Sequence, residues 1–438
     1  MRELSLRTRA LGGLALAATS ALVLAGCASG GASDSGAKDK TYASAECASG
    51  TTSADTFKVG TLLPITGSLA FLGPPEIAGV GLAIADINEA GGVNGQKACL
   101  YSTDSGDSSD MSISTASAED LIKQKVSVVI GAASSSVSLN VVDSFAAAKV
   151  VEISPANTSA ALSGYTPWYF RTAPPDTVQG SALGQLITGD GNSKVAFIVF
   201  NDSYGTGLRD STQASIESAG GTVVYGGMGK GQEFPPGQTT FSSEVTQALA
   251  TSPDAIVVVA FDETKAIVPE LVAQGWTMAN TYFTDGNTAS FEKDFEAGTL
   301  EGAQGTIPGA APSEELKGLL GTYWADVQGE ELTDFSYAAE SYDATMLAAL
   351  AAAKGGDNSP VTIQENLAAV SGANGGTKCS TFADCTKLLK DGKDIQYQGP
   401  SSVGPFNAKN DPSSAFIGIY KYDAKNIPVW ASAVEGKS

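Results

Sequence analysis

The sequence predicts an α/β protein of two doubly wound, parallel-sheet lobes joined by crossovers. Three observations carry this expectation. Short apolar runs alternate with stretches of helical period from Thr56 onward. The alternation breaks at the aromatic and proline-rich stretch Trp168 to Pro175 and then resumes, which marks a second lobe. Beyond Pro308 the pattern turns helical with few strands to pair, so those helices are expected to complete the first lobe. A length of 438 residues suits such a bilobed body, at roughly 100–200 residues per domain.

In chain order, Thr56 to Leu63 reads as a strand. Ile77, Val80, Ile84 and Ile87 then recur at helical spacing until Gly91-Gly92 stops the helix. A strand at Ala98 to Tyr101, a helix at Ser114 to Lys123, a strand at Val126 to Ile130, a helix at Val137 to Ala148 and a strand at Val150 to Ile153 follow. The second lobe reads as strands at Val195 to Phe200, Val223 to Tyr225, Ala255 to Val259 and Thr281 to Phe283. Helices at Tyr204 to Ala219, Phe241 to Ala250 and Glu263 to Gln274 separate them. Helices at Glu314 to Val327 and Tyr337 to Ala353 return to the first lobe. The expected division is 56–173 with 309–395 as lobe 1, and 174–308 with 396–438 as lobe 2. Open sheets of this kind bind ligands in the crevice at the carboxyl ends of their strands.

Arg2, Arg7 and Arg9 precede an apolar run, Leu11 to Ala25, that ends in Leu24-Ala25-Gly26-Cys27. The run is shorter than the roughly 20 residues that span a bilayer. It resembles a bacterial lipoprotein signal over 1–26, which implies that Cys27 carries lipid and becomes the mature N-terminus. Residues 27–55 are rich in Ser, Gly, Ala and Thr and read as a flexible tether. Four further cysteines suit two disulfides in an oxidising exterior. Their pairing is open from sequence. Cys379 and Cys385 are close enough to close a short loop, leaving Cys47 for Cys99, and free buried thiols are the alternative.

Lys and Arg total 26 against 47 Asp and Glu, a net charge of −21, so no basic surface is available to follow a nucleic-acid backbone. Histidine is absent, which removes Ser-His-Asp and Cys-His catalysis and the common zinc patterns. An enzyme is not expected, nor is a cofactor or a metal. Asp104, Asp107 and Asp110 lack EF-hand spacing and read as a helix-capping turn. The run Gly226 to Gly231 lacks Walker spacing and reads as a surface loop.

Several ordered motifs resemble the branched-chain amino-acid binding proteins of ABC importers. They are Pro64-Ile65-Thr66-Gly67, Ala85 to Gly95, Val129-Ile130-Gly131-Ala132, Ile153 to Thr158, Phe170-Arg171-Thr172 and Asp202-Ser203-Tyr204-Gly205, and the resemblance covers about Thr56 to Tyr422. It implies a type I periplasmic binding protein fold with three crossovers, an extracytoplasmic monomer, an amino-acid ligand and ABC permease subunits as partners. It also implies that Ser134, the backbone of Ala156 and Thr158 hold the ligand carboxylate. Tyr204 and Asp285 would approach its ammonium. Ser134 follows a strand and opens a helix, where free N–H groups favour an anion, although a plain helix cap explains it equally. Leu72 and Phe261 stand where the family commonly has aromatic wall residues, so the ligand could be another hydrophobic amino acid. A sensory module or a binder of another small carboxylate or amide is the alternative on the same fold, with a secreted enzyme behind it.

Overall fold

The computed structural model describes residues 40–47 and 55–438. The expected signal peptide, Cys27 and most of the tether lie outside them. From residue 55 the chain runs β1 (Phe57–Leu63), α1 (Gly73–Glu89), β2 (Ala98–Asp104), α2 (Met111–Gln124), β3 (Val128–Gly131), α3 (Ser135–Ala148), β4 (Val151–Ser154) and β5 (Tyr169–Arg171). The sheet order is β2-β1-β3-β4-β5, with every pairing parallel. Successive side chains along a strand point to opposite faces. Val128 and Ile130 therefore join one apolar layer while Val129 between them joins the other. Both faces are covered, which is why β3 and β4 are buried throughout.

The second lobe follows with α4 (Asp176–Gly189), β6 (Lys194–Val199), α5 (Ser203–Ser218), β7 (Thr222–Tyr225), α6 (Ser242–Ala250), β8 (Ala255–Val259), α7 (Thr264–Ala273), β9 (Thr281–Phe283) and β10 (Gln304–Pro308). The chain then passes through α8 (Glu314–Gln328), α9 (Ala338–Gly355), α10 (Pro360–Ser371), β11 (Thr377–Cys379), α11 (Phe382–Lys390) and β12 (Ile395–Tyr397). It ends in β13 (Ser414–Tyr422) and β14 (Pro428–Lys437). The α9 and α10 side chains pack with β1, β3 and β4, so these helices do complete the first lobe. Gly79 and the alanines of α9 allow a close helix pair: a Cβ at Gly79 would strike the Ala338 carbonyl.

Four expectations need correction. The stretch beyond Pro308 is not strand-poor, because β13 and β14 form a long antiparallel pair in the second sheet, ordered β14-β13-β10-β9-β8-β6-β7. The β14 strand is an edge with mostly exposed side chains, Val429, Trp430 and Val434 among them. The interrupting segment itself contains β5, whose Arg171 is buried through a 2.6 Å ion pair with Asp411. The return to the second lobe comes after Asp411 rather than at 395. Tyr397 and Ser401 hydrogen-bond the Asp343 carboxylate, and Phe406 meets Phe170 edge-on at 5.2 Å, both on first-lobe elements. Finally, residues 41–47 are docked rather than tethering. Cys47 N–H donates to the Leu100 carbonyl, Leu100 N–H donates to the Ala45 carbonyl, and Tyr42 packs edge-on against Tyr323. The disulfide Cys47–Cys99 fixes this segment to β2, and Cys379–Cys385 closes the short loop, so both expected bridges are present.

Several carboxyls are buried without cations. Glu152 on β4 is fully buried, and Ser138 Oγ donates to it at 2.7 Å. Burial pushes its carboxyl from 4.5 up to about 8. Between those values the folded state holds a proton that the unfolded chain has released, so stability falls as pH rises through that window. We expect the melting temperature to decline from mildly acidic to mildly alkaline pH, and Glu152→Gln to flatten the decline. A pH series of thermal melts showing equal slopes for both proteins contradicts this.

Candidate functional site

The carboxyl ends of β1, β3, β4, β6, β8 and β9 converge on one narrow cavity between the two sheets. Of the sequence-predicted residues, Ser134, Ala156, Tyr204, Asp285, Leu72 and Phe261 line it; Thr158 does not, although its N–H donates to Ser135 Oγ. Leu69, Ala133, Ser135, Gly286 and Tyr337 line it as well and were not anticipated. The lobes touch here: the Ser159 and Ser203 hydroxyls are 2.9 Å apart, and Ser203 N–H donates to Ser136 Oγ. The cleft is closed.

Each wall has a local cause. Ser134 caps α3 through a long 3.4 Å bond from Val137 N–H, so the capping and lining roles coexist. The first N–H groups of α3 have no intrahelical acceptor and open on the cavity side. The Ala156 N–H, implied as a ligand contact, is directed at Ser154 Oγ at 3.3 Å. Asp202 caps α5 by accepting from Tyr204 N–H, which sets the Tyr204 ring into the cleft. That ring stacks on Phe261 with centroids 5.5 Å apart, and Phe200 meets Phe261 edge-on. Gly286 permits the stack, because a Cβ there would run into the Phe261 ring.

The electrostatic centre is Asp285, only 6% exposed. Tyr204 Oη at 2.7 Å and Gln179 Nε2 at 2.9 Å donate to its Oδ1, and Tyr337 Oη at 2.7 Å donates to Oδ2. Burial raises the Asp285 carboxyl above its usual range, and these three donors pull it back. Next to it, Asp176 is fully buried with neither oxygen hydrogen-bonded, and Gln179 Oε1 and Thr158 Oγ1 are likewise unpartnered. Burial pushes Asp176 up to about 8, and the Asp285 charge adds to the rise. No Lys or Arg lines the cavity among the described residues. The site thus sets the Asp285 carboxyl on one side against the start of α3 with its serine hydroxyls on the other, while Asp176 lies buried outside the lining, an arrangement that suits a small zwitterion.

The sequence offered little warning of Asp176, Gln179 and Tyr337. Asp176 follows two prolines and reads as a helix-start residue. Tyr337 reads as the first residue of a helix, but it adopts a left-handed backbone, φ 58°, just before α9. The acidic loop is also more than a capping turn. Asp110 does cap α2, but Asp104 accepts from Ile65 and Thr66 N–H, and Asp107 Oδ2 accepts from Ser68 N–H at 2.6 Å. These bonds fasten the 64–69 loop that presents Leu69 to the cleft.

The family model described as "Periplasmic binding protein" matches residues 56–391. The chain belongs to that family. Among curated proteins, it is 32% identical over 178 residues to a Leu/Ile/Val-binding protein homolog of Brucella abortus, an alignment covering 40% of this chain and 47% of that one. The chain therefore spans about half the length of that relative. A branched-chain amino acid transporter substrate-binding protein of Streptococcus pneumoniae, solved with isoleucine, superposes with a TM-score of 0.69 at 23% identity, covering 87% of this chain and 100% of that one. A solute-binding protein of an ABC transporter from Rhodopseudomonas palustris, solved with p-hydroxybenzoic acid, gives 0.69 at 18% identity, covering 88% and 98%. These two are likenesses of fold.

The loop clamp yields a test. Burial opposes ionisation of Asp107, but hydrogen bonds from Ser109 and Ser68 outweigh it and hold its carboxyl below the usual range. Asp107→Ala should cost about 1.5–3 kcal/mol, the worth of hydrogen bonds to a charged group. It should also strip amide-exchange protection from Ser68. Protection that survives the substitution contradicts the clamp.

Proposed function

We propose that this protein is a substrate-binding protein that captures an α-amino acid between two closing lobes and delivers it to an ABC permease. No covalent step is involved. The carrying observation is Asp285: a buried carboxylate with three neutral donors and no cation, held across the seam from the α3 N-terminus. An ammonium entering beside Asp285 supplies the missing charge. The carboxylate of the same ligand then reaches Ser134 and the first N–H groups of α3, where the helix dipole favours an anion. Thr158 hydroxyl stands behind, free to turn toward Asp176 or the ligand. Leu69, Leu72 and Phe261 supply an apolar wall for the side chain, consistent with a branched-chain or other hydrophobic amino acid.

Because Asp285 and the helix N-terminus belong to opposite walls, a zwitterion contacts both only when the lobes are shut. Closure is then driven by the ligand's differential affinity for the closed state. The family name and the lipoprotein-like leader support an extracytoplasmic monomer anchored to the membrane through Cys27. A second reading, an aromatic acid without an amine, is favoured by the Tyr204–Phe261 stack, which suits a ring, and by the p-hydroxybenzoic acid held by the Rhodopseudomonas palustris protein.

A thermal-shift screen of amino acids, amides and aromatic acids identifies the ligand, and calorimetry on Asp285→Ala tests the site. Losing one member of a desolvated charge pair typically costs about 2–5 kcal/mol, so affinity for an amino acid should fall roughly thirtyfold to several thousandfold. Unchanged affinity, or a screen in which only acids lacking an amine stabilise the protein, overturns the amino-acid reading.

A further inference from the structure

A second cavity, of about 210 Å³, lies at the hinge where the chain leaves β10 toward α8, and Tyr337 forms a wall of both cavities. It is smaller than the roughly 300–1,000 Å³ of drug-sized sites. It is therefore sized for a group of a few heavy atoms. Its walls are unusual in chemistry. Phe335, Tyr337, Tyr420 and Trp430 contribute four aromatic rings, and Asp334 and Glu340 contribute two carboxylates. Tyr420 and Trp430 meet edge-on with centroids 5.4 Å apart, so they form a corner rather than a flat stack.

The carboxylates have no counter-charge. Glu340 is 4% exposed, and its carboxylate takes a hydrogen bond only from its own backbone. Its Oε1 lies against Gly309, where any Cβ would cover it. Behind it, Glu76 on α1 is fully buried with both oxygens unpartnered, and it feels the charges of Glu340 and Asp334. Three acids thus gather at one point of the hinge. The lining cation, Lys317, is paired with Glu314 at 2.9 Å and lies toward solvent, so it does not neutralise them. Burial, with the Asp343 charge adding to it, pushes the Glu340 carboxyl up to about 8, the response of an acid kept from water without a cation.

Aromatic faces attract cations through the ring quadrupole, and aromatic cages with an acid recognise alkylated ammonium groups. We infer that the hinge cavity is a second binding site, separate from the cleft, for a small organic ammonium cation of choline or tetramethylammonium size. Trp430, exposed by 38%, forms the mouth, and Glu340 the floor. The aromatic corner comes from β13 and β14, whereas Glu340 and Tyr337 come from α9 and its approach. An occupant therefore bridges the two lobes at the hinge. Through the Tyr337 hydroxyl it also adjoins Asp285, so cleft and hinge occupancy should be coupled, and reciprocally so.

Choline chloride titrated into the full chain, against sodium chloride at equal ionic strength, tests the assignment by calorimetry and by the indole N–H signals of the four tryptophans. Expected are saturable binding and a shift of the one signal that Trp430→Phe deletes. The neutral isostere 3,3-dimethyl-1-butanol should bind far less well. Glu340→Gln and Trp430→Ala should each weaken choline binding by about tenfold or more. No saturable binding, equal binding of the neutral isostere, or a shift confined to other tryptophans overturns the site. So does choline binding that survives Glu340→Gln but is lost in Phe261→Ala, which would put the cation in the cleft. The indole readout on the wild-type chain decides the matter even if Glu340→Gln fails to fold.

Discussion

A buried carboxylate that has donors but no cation is the constraint around which this protein is organised. Taking Asp285 out of water costs several kcal/mol, and neutral hydrogen bonds repay only part of that. Its neighbours are arranged to hold it ready rather than to satisfy it. Asp202 caps α5 so that Tyr204 can reach it, Gln179 reaches it from α4, and Tyr337 adopts a left-handed backbone that carries its hydroxyl to the second oxygen. Asp176, buried alongside, adds a second acid whose charge Arg171 partly offsets. The missing charge is left for the ligand to bring.

A site that spans two lobes needs lobes that move without losing their own cores. The two sheets keep largely separate apolar layers, and the chain passes between them at three places: β5 to α4, β10 to α8, and the stretch between Asp411 and β13. Arg171 ties two of these crossings together. It pairs with Asp411 and donates to the backbone carbonyls of Asn157 and Ser159 and to Ser163 Oγ. Breaking a buried pair of this kind typically costs about 3–5 kcal/mol. The hinge cavity beside Pro308 to Pro312 sits at one of these crossings.

Much of this was legible in the sequence where period and punctuation agree. The Ala255 to Val259 and Thr281 to Phe283 strands, both fully buried, lie where the apolar runs put them, and the motif residues Ser134, Tyr204 and Asp285 lie on one cavity. The short Cys379–Cys385 spacing suggested the pairing that the structure has, although the sequence alone left it open. What escaped has a common cause, namely partners far away in sequence. Arg171 reads as a surface residue unless Asp411 is seen, 240 positions later. Tyr42 reads as part of a tether unless Tyr323 is seen. The β13–β14 pair is carried by backbone bonds at a sheet edge, where no hydrophobic pattern is required, and Tyr337 depends on a backbone conformation that helical periodicity does not report.

The central claim is that the ligand's ammonium completes the charge at Asp285. The most direct measurement is paired calorimetry of the wild-type protein with the amino acid that the screen selects and with its deaminated analogue, the same carboxylate and side chain without the amine. The account predicts that the amino acid binds at least about thirtyfold more tightly, the lower bound for losing one partner of a desolvated charge pair. Equal or tighter binding of the deaminated acid would contradict it.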